Sequence, residues 1–378
     1  MHILHICNDF SGSKVHRHLY QALDETGIEQ TIFCPVRKAD LIGNNIFESK
    51  AASFEYAHII RPFHRLAYHI KLQHIFRYLT RHIALDKIDI CHATTLFSDG
   101  GVAYKIYQQY HIPYVVNIRN TDVNLFLKYM PHTWHTAKNI LLHASKIIFV
   151  SPAMQPLFFR HPLIQQIYPE IADKISIIPN GLNDYWIDHL NKEKPVNNYQ
   201  ILYVGSFIKS KRAPLLAKAV KALRHTYPDI QLRYIGSGGE DESVIRQLAN
   251  KHPEFIAYPG QINDLDLLKQ QYSHHAIFAL PSLHETFGLV YMEALSQNIP
   301  VVYTAHEGID GLIDEHCGEK LNKVNQKEII AALTKILENY SFYSNQNIRF
   351  EQYRWTNIAR QYMDIYTIHS QQDLTHHA

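Results

Sequence analysis

The chain has 378 residues of near-average apolar content, a length that implies two domains at roughly 100–200 residues each. A formal net charge of +2 excludes a dedicated nucleic-acid backbone binder, which carries a clear basic excess. Cys7, Cys34, Cys91 and Cys317 show no CxxC spacing and follow no secretory leader, so reduced thiols in a cytoplasmic protein are expected; no apolar run approaches the ~20 residues of a membrane span.

The first strand-like run, HILHI from His2, leads into DFSGSK, where a tight turn favours Gly12. TIFC from Thr31 is a second strand. Residues 58–82, HIIRPFHRLAYHIKLQHIFRYLTRH, carry Arg61, Arg65, Lys71, Arg77 and Arg81 among apolar residues, with no acid. That composition suits a basic amphipathic segment on an anionic membrane surface, or equally a core helix with a solvated basic face. IDICHA, YVVNI, KIIFV and ISIIP follow with helix-length stretches between them, which predicts a parallel sheet with crossover helices.

Residues 191–200, NKEKPVNNYQ, are polar and without hydrophobic period, the composition of a linker. The expected division is a first domain over 1–190, a linker over 191–200 and a second domain over 201–348. ILYVGSFIKSK, LRYIG, FIAYPG, AIFALPS and PVVYT supply the second α/β half. IGSGGEDES lacks the third glycine of a dinucleotide fingerprint and reads as a loop made permissive by Gly236 and Gly238. DLD at Asp264 reads as a helix start, where acids are favoured. HETFG lacks the second histidine of a zinc helix, so no metal site is expected. Over 349–370, Tyr353, Trp355, Ile358, Tyr362 and Ile365 recur at helical spacing and predict a C-terminal helix.

The stretch PSLHETFGLVYMEALSQNIPVV reads as strand end, loop and helix, with Glu285 in the loop and Glu293 in the helix. A helix start offers free N–H groups and partial positive charge, so the amides of Phe287, Gly288 and Leu289 suit a phosphate or a sugar hydroxyl. Carboxylates accept from paired hydroxyls such as those of a ribose. Taken alone, the same residues also describe a capped helix with two solvated glutamates.

ETFGLVYMEA, with the flanking PS and PVV, closely resembles the E-x7-E block of the family-four (group 1) retaining glycosyltransferases of GT-B fold. ILYVGSFIKSK is similar to the strand–glycine–lysine motif that opens the family's C-terminal domain. IIPNGL, IIFVSPAM and YRWTNIARQY resemble further family segments in the same order. The resemblance implies two Rossmann-like parallel-sheet domains facing an interdomain cleft, the first for acceptor and the second for donor, with the C-terminal helix crossing back to the first. It implies that Glu293 accepts from the donor ribose and that Glu285, Thr286, Phe287, Gly288 and Leu289 address the donor sugar and phosphate. Lys211 would contact the diphosphate, beside Gly205 and Ser206, and Gln261 and Ile262 would flank the base.

Gly12 and Ser13 resemble the loop that approaches the donor phosphate. Arg119 and Asp122 occupy the positions of a histidine and an aspartate in many relatives, and are expected to be catalytic together with Lys211 and Glu285. Two departures stand out: Ser206 replaces the usual arginine, and Arg119 the usual histidine. The implied activity is retaining transfer of a sugar, hexosyl in type, from a nucleotide-diphosphate sugar to a saccharide or glycolipid acceptor, as in surface polysaccharide, lipopolysaccharide or glycolipid synthesis. It needs no cofactor or obligatory metal; the enzyme would be cytoplasmic, or peripheral on the inner membrane face if 58–82 docks there. The alternatives are a nucleotide-sugar epimerase of the same fold and a non-catalytic saccharide-binding relative.

Overall fold

The computed structural model describes residues 1–65, 67–345 and 347–371. They form two units, one of Met1–Val150, Met154–Gly181 and the chain from Trp355 onward, the other of Ser151–Ala153 and Leu182–Arg354. Each is built on one parallel sheet.

The first sheet contains β1 (His2–Ile6), β2 (Glu29–Pro35), β3 (Ala52–Ala57), β4 (Ile90–Ala93), β5 (Tyr114–Ile118), β6 (Lys146–Phe149) and β7 (Ile175–Ile177), in spatial order β3-β2-β1-β4-β5-β6-β7. The second contains β8 (Gln200–Val204), β9 (Gln231–Ile235), β10 (Ile256–Gly260), β11 (Ile277–Ala279), β12 (Val301–Thr304) and β13 (Gly318–Leu321), in order β10-β9-β8-β11-β12-β13. β3 and β13, absent from the sequence reading, are edge strands. ASFEYA is mostly half-exposed and GEKL half polar, so neither shows the apolar run that marks a strand covered on both faces.

The side chains of the first sheet alternate between two packed layers, as the pleat requires. Leu4, Ile6, Cys91, Ala93, Tyr114 and Val116 join the layer with α2 (Tyr68–His82) and α3 (Ser98–Tyr110). Ile3, Ile90 and Val115 join the layer with α1 (Lys14–Asp24) and the C-terminal helix Trp355–Gln371. On this second face His5, His92 and Asn117 are buried polar residues, which must be hydrogen bonded to be tolerated.

The C-terminal helix supplies the partners through Tyr362 and Tyr366, one helical turn apart. Tyr366 Oη lies 2.8 Å from His92 Nδ1 and His92 Nε2 lies 3.0 Å from Asn117 Oδ1. Because the amide oxygen can only accept, His92 carries its proton on Nε2 and accepts the tyrosine hydroxyl on Nδ1. Asn117 Nδ2 in turn donates to Tyr362 Oη at 2.9 Å. The apolar period of this helix therefore also delivers two hydroxyls to the sheet.

The expected boundary at residue 190 is displaced. Leu182, Trp186 and Ile187 lie in the second unit's core, with the Trp186 ring packed edge-on against Tyr272 at 5.4 Å. Residues 191–200 are strapped to the same unit rather than free. Asn191 N donates to Ser296 O at 2.9 Å, Asn197 Nδ2 to Leu337 O at 3.0 Å and Asn198 Nδ2 to His274 O at 2.7 Å. Polar composition cannot tell a solvated linker from a strap whose side chains bind carbonyls. Apart from the brief excursion of Ser151–Ala153, the chain changes unit after Gly181 and again after Arg354, and the C-terminal helix begins at Trp355, inside the expected 349–370 segment.

Gly181 faces the Trp355 indole, where a Cβ would lie 2.3 Å from Cδ2, and Trp355 is itself buried. Overpacking of this kind costs about 1–3 kcal/mol. Gly181→Ala is expected to lower the melting temperature of the protein, and Gly181→Ala combined with Trp355→Leu to recover much of the loss; thermal unfolding followed by circular dichroism measures both.

Candidate functional site

In an open parallel sheet, crossovers are right-handed. Where the strand order reverses, successive connections therefore leave on opposite faces and open a crevice at the carboxyl ends of the strands. The second sheet reverses at β8 and β11. The loops that follow these two strands carry Gly205–Arg212 and Leu280–Gly288, which include Gly205, Ser206, Lys211, Glu285, Thr286, Phe287 and Gly288 among the residues expected to bind donor.

Lys211 and Glu285 meet there as an ion pair, with both side chains largely covered. A short helical turn, Lys209–Lys211, presents the lysine, and Leu283 N donates to Ser210 O at 2.7 Å, tying the two loops together. Glu285 is held from behind by Glu307, whose Oε2 accepts from Glu285 N at 2.8 Å, while Gly308 N donates to Glu285 O at 2.9 Å. Burial, with Glu285 nearby, pushes the Glu307 carboxyl up to about 7, against the lowering effect of its backbone donors and Lys211. Sequence reading missed Glu307; its signal was an acid followed by glycine directly after β12.

Gly288 stands at the start of the helix Leu289–Ser296 with φ +76, and no side chain caps this end. A Cβ here would lie 2.5 Å from the Tyr291 ring, so glycine serves both the left-handed turn and the close packing. Phe287 is buried, while Thr286 and Leu289 are half-buried. Glu293, about one turn into the helix, is also half-buried and accepts from Tyr272 Oη at 3.0 Å. Burial pushes its carboxyl up to about 7, partly opposed by that hydrogen bond.

The remaining residues of this unit divide by role. Gly205 and Gly236 let two loops touch, since a Cβ on Gly236 would fall 2.0 Å from Gly205 O. Gly238 O accepts from Phe207 N at 2.6 Å, and its own Cβ direction is open. Ser206 O accepts from Tyr203 Oη at 2.7 Å. Gln261 is exposed and pairs with Ser237 Oγ at 2.6 Å and Asn263 Oδ1 at 2.7 Å, and Ile262 packs on the core. Asp264 caps its helix by accepting from Leu267 N at 2.9 Å, the helix start read from DLD.

The first sheet reverses at β1 and β4. Gly12 and Ser13 follow β1 in a turn where both backbone N–H groups donate to Asp9 O at 3.0 Å. Asp122 belongs to the loop side after β5, and it is 1 % exposed. Its oxygens accept from the backbone N–H groups of Leu96 (3.0 Å), Phe97 (3.3 Å) and Arg119 (2.9 Å). Burial raises it to about 6 despite these donors. These three bonds tie Asp122 to the segment that leads into α3. Arg119 directs Nε to Thr94 O at 3.3 Å.

A cavity of about 520 Å³ opens beside this loop, lined by Asn8, Thr95 and Ser98 at the sheet edge and by Arg37, Arg61 and Lys71. The 58–82 stretch contributes to it through α2, whose Tyr68, Leu72, Ile75, Phe76 and Leu79 are buried. Its apolar stripe therefore faces the core, and Ile70, His74, Arg77 and Arg81 form the exposed stripe. Among the described residues no helix is long and apolar enough to cross a membrane.

Two Rossmann-like units, each with polar residues gathered at its switch point, define the class of GT-B glycosyltransferases. The model of Glycosyltransferase Family 4 matches residues 12–185 and that of Glycosyl transferases group 1 matches residues 184–353. The chain belongs to this family of glycosyltransferases. It is 24 % identical over 309 residues to a glycosyltransferase of Methanocaldococcus jannaschii, with 76 % of this chain and 77 % of that protein covered. It is 23 % identical over 301 residues to a probable sucrose-phosphate synthase of Thermosipho melanesiensis, covering 72 % and 69 %. The fold is similar to that of Anabaena HepE solved in complex with UDP, at TM-score 0.70 and 16 % identity over 97 % of this chain and 99 % of that one. HepE has also been solved with UDP-glucose.

A carboxyl raised on folding binds its proton more tightly in the folded state, so it lowers stability as pH rises from the ordinary carboxylate range to the raised value. For Glu293 that window runs from its ordinary 4.5 to about 7. Glu293→Gln is expected to flatten the fall of unfolding free energy across that window relative to the parent, as measured by urea denaturation at pH 5 and pH 7.5.

Proposed function

We propose that the protein is a retaining glycosyltransferase that moves a sugar, hexosyl in type, from a nucleotide-diphosphate sugar to an acceptor hydroxyl. The observation that carries this reading is the Lys211–Glu285 pair at the β8/β11 switch point, braced by Glu307 and adjoining the uncapped helix start at Gly288. Family membership supports it, and so does the fold shared with HepE, whose crystals held UDP and UDP-glucose.

Each group has a part in that chemistry. Breaking the sugar–phosphate bond develops negative charge on the leaving diphosphate. Lys211 and the N–H groups of the helix start stabilise that charge where water is scarce and the dipoles are already oriented. This supply of positive charge makes an obligatory metal unnecessary to the proposal. Lys211 is neutralised by Glu285 before donor arrives, so the diphosphate competes for the ammonium and frees Glu285 to accept from sugar hydroxyls. Glu293, beside the Tyr272 hydroxyl, accepts from the ribose. With the Asp122 oxygens accepting from backbone N–H groups, the acceptor proton passes to the leaving phosphate itself, which is the route that retention by front-face displacement requires. The acceptor is a saccharide or a glycolipid used in surface polysaccharide or glycolipid assembly, and the exposed Arg77 and Arg81 stripe of α2 suits an anionic membrane surface.

A ligand that binds only the folded state raises the melting temperature by mass action. UDP-, GDP- or ADP-sugars are expected to separate in such a screen, with one base class giving the shift. Glu293→Ala should abolish that shift, and Lys211→Ala should lower kcat by roughly 10²-fold, the scale of losing one transition-state donor. Unchanged donor affinity and turnover in both variants, measured by calorimetry and steady-state kinetics, would count against the site, and an inverted product anomer by NMR would count against retention.

A further inference from the structure

We propose that the cavity at the β1/β4 switch point of the first unit is a receptor for a phosphate group carried by the acceptor, a specification that rests on the transferase reading above. Three cationic side chains, Arg37, Arg61 and Lys71, line one space of about 520 Å³. Asp122 is the one carboxylate among the lining residues, and its oxygens are occupied by three backbone N–H groups. Three cations against one carboxylate leave the lining with a net positive charge.

Lys71 makes the argument specific. Only 7 % of it is exposed, yet its Nζ donates to the neutral Ser98 hydroxyl at 2.7 Å rather than to a carboxylate. The nearby Asp99 is also buried, and its own oxygens accept from Thr94 Oγ1 at 2.8 Å, Thr95 Oγ1 at 3.0 Å and Asn8 N at 3.3 Å. Burying an ammonium is costly, and burial draws the lysine below its ordinary range, with the Asp99 charge opposing and Arg37 adding to the effect. An anion entering from solvent would remove that cost.

His64 is an independent indication. It lines the same cavity and is 3 % exposed. Its Nδ1 accepts from Arg61 N at 3.0 Å, which places the proton on Nε2, a buried donor without a hydrogen-bond partner among the described residues. A buried orphan donor in a cavity wall asks for an acceptor. Ser98 is the first residue of α3, so a 13-residue helix also turns its positive end toward this space.

Two guanidinium groups, an ammonium and an imidazole N–H form a donor set that exceeds what one carboxylate accepts and matches the three terminal oxygens of a phosphate monoester. Tyr68, Leu125, Phe126 and Met130 also line the cavity, a surface for the apolar face of a sugar ring or a hydrocarbon chain behind the phosphate. A sugar phosphate and a lipid phosphate present the same group to these donors.

The test uses the full chain, with inorganic phosphate, glucose 6-phosphate, glucose, and vesicles of phosphatidic acid or phosphatidylcholine, against chloride at matched ionic strength. Protection from thermal unfolding by phosphate and glucose 6-phosphate but not glucose assigns a soluble phosphate. Binding to phosphatidic acid vesicles alone assigns a lipid phosphate. Arg37→Ala and Arg61→Ala, both at exposed positions that spare the core, are each expected to weaken the phosphate response about tenfold, the scale of one charge-assisted pair. A response that survives both substitutions, or no response to any phosphate probe, overturns the proposal. The nucleotide screen is a separate readout: its failure in the parent protein would remove the transferase reading and leave the phosphate result standing.

Discussion

Everything chemical in this molecule follows from the constraint that parallel strands be joined by right-handed crossovers. A sheet that grows outward from its middle in both directions must send consecutive connections to opposite faces, and at that place nothing covers the carboxyl ends of the strands. β8 and β11 create the opening in the second sheet, β1 and β4 in the first. The Lys211–Glu285 pair occupies one and the cationic cavity the other. The backbone decides where a ligand can be met, and the loop residues decide which ligand.

The two places are tuned by the same physics with opposite results. At the second, Glu285 and Lys211 neutralise each other, and Glu293 and Glu307 are raised to about 7 because burial disfavours their charged forms. At the first, the acids accept from backbone donors and hydroxyls, and Lys71 donates to the Ser98 hydroxyl. Asp122 illustrates the difference, its oxygens accepting from the backbone N–H groups of Leu96, Phe97 and Arg119.

The C-terminal helix shows how a remote segment is bound to its sheet. Trp355 fits against Gly181, and Tyr362 and Tyr366 satisfy Asn117 and His92 on a face that would otherwise hide unpaired polar groups. The apolar spacing that betrayed this helix in the sequence was a packing signal. That two of its members were also hydrogen-bonding partners for β4 and β5 depended on residues more than 240 positions away in the chain.

The order of strands and helices, the two α/β halves and the motif between Pro281 and Val302 were legible because covered strands and amphipathic helices must repeat their apolar residues at fixed periods. The edge strands β3 and β13 were not, since an edge is only partly covered and needs no such run. Local chemistry was likewise readable where it depends on neighbours in sequence, as in the helix start at Asp264. Only the tertiary structure decided that residues 182–200 belong to the second unit, that Glu307 braces Glu285, that Asp122 is spent on backbone N–H groups, and that Lys71 and His64 face one cavity. Each of these depends on whether a polar group finds its partner across a fold. Burial and pairing are set by contacts between distant segments, which no local pattern of residues encodes.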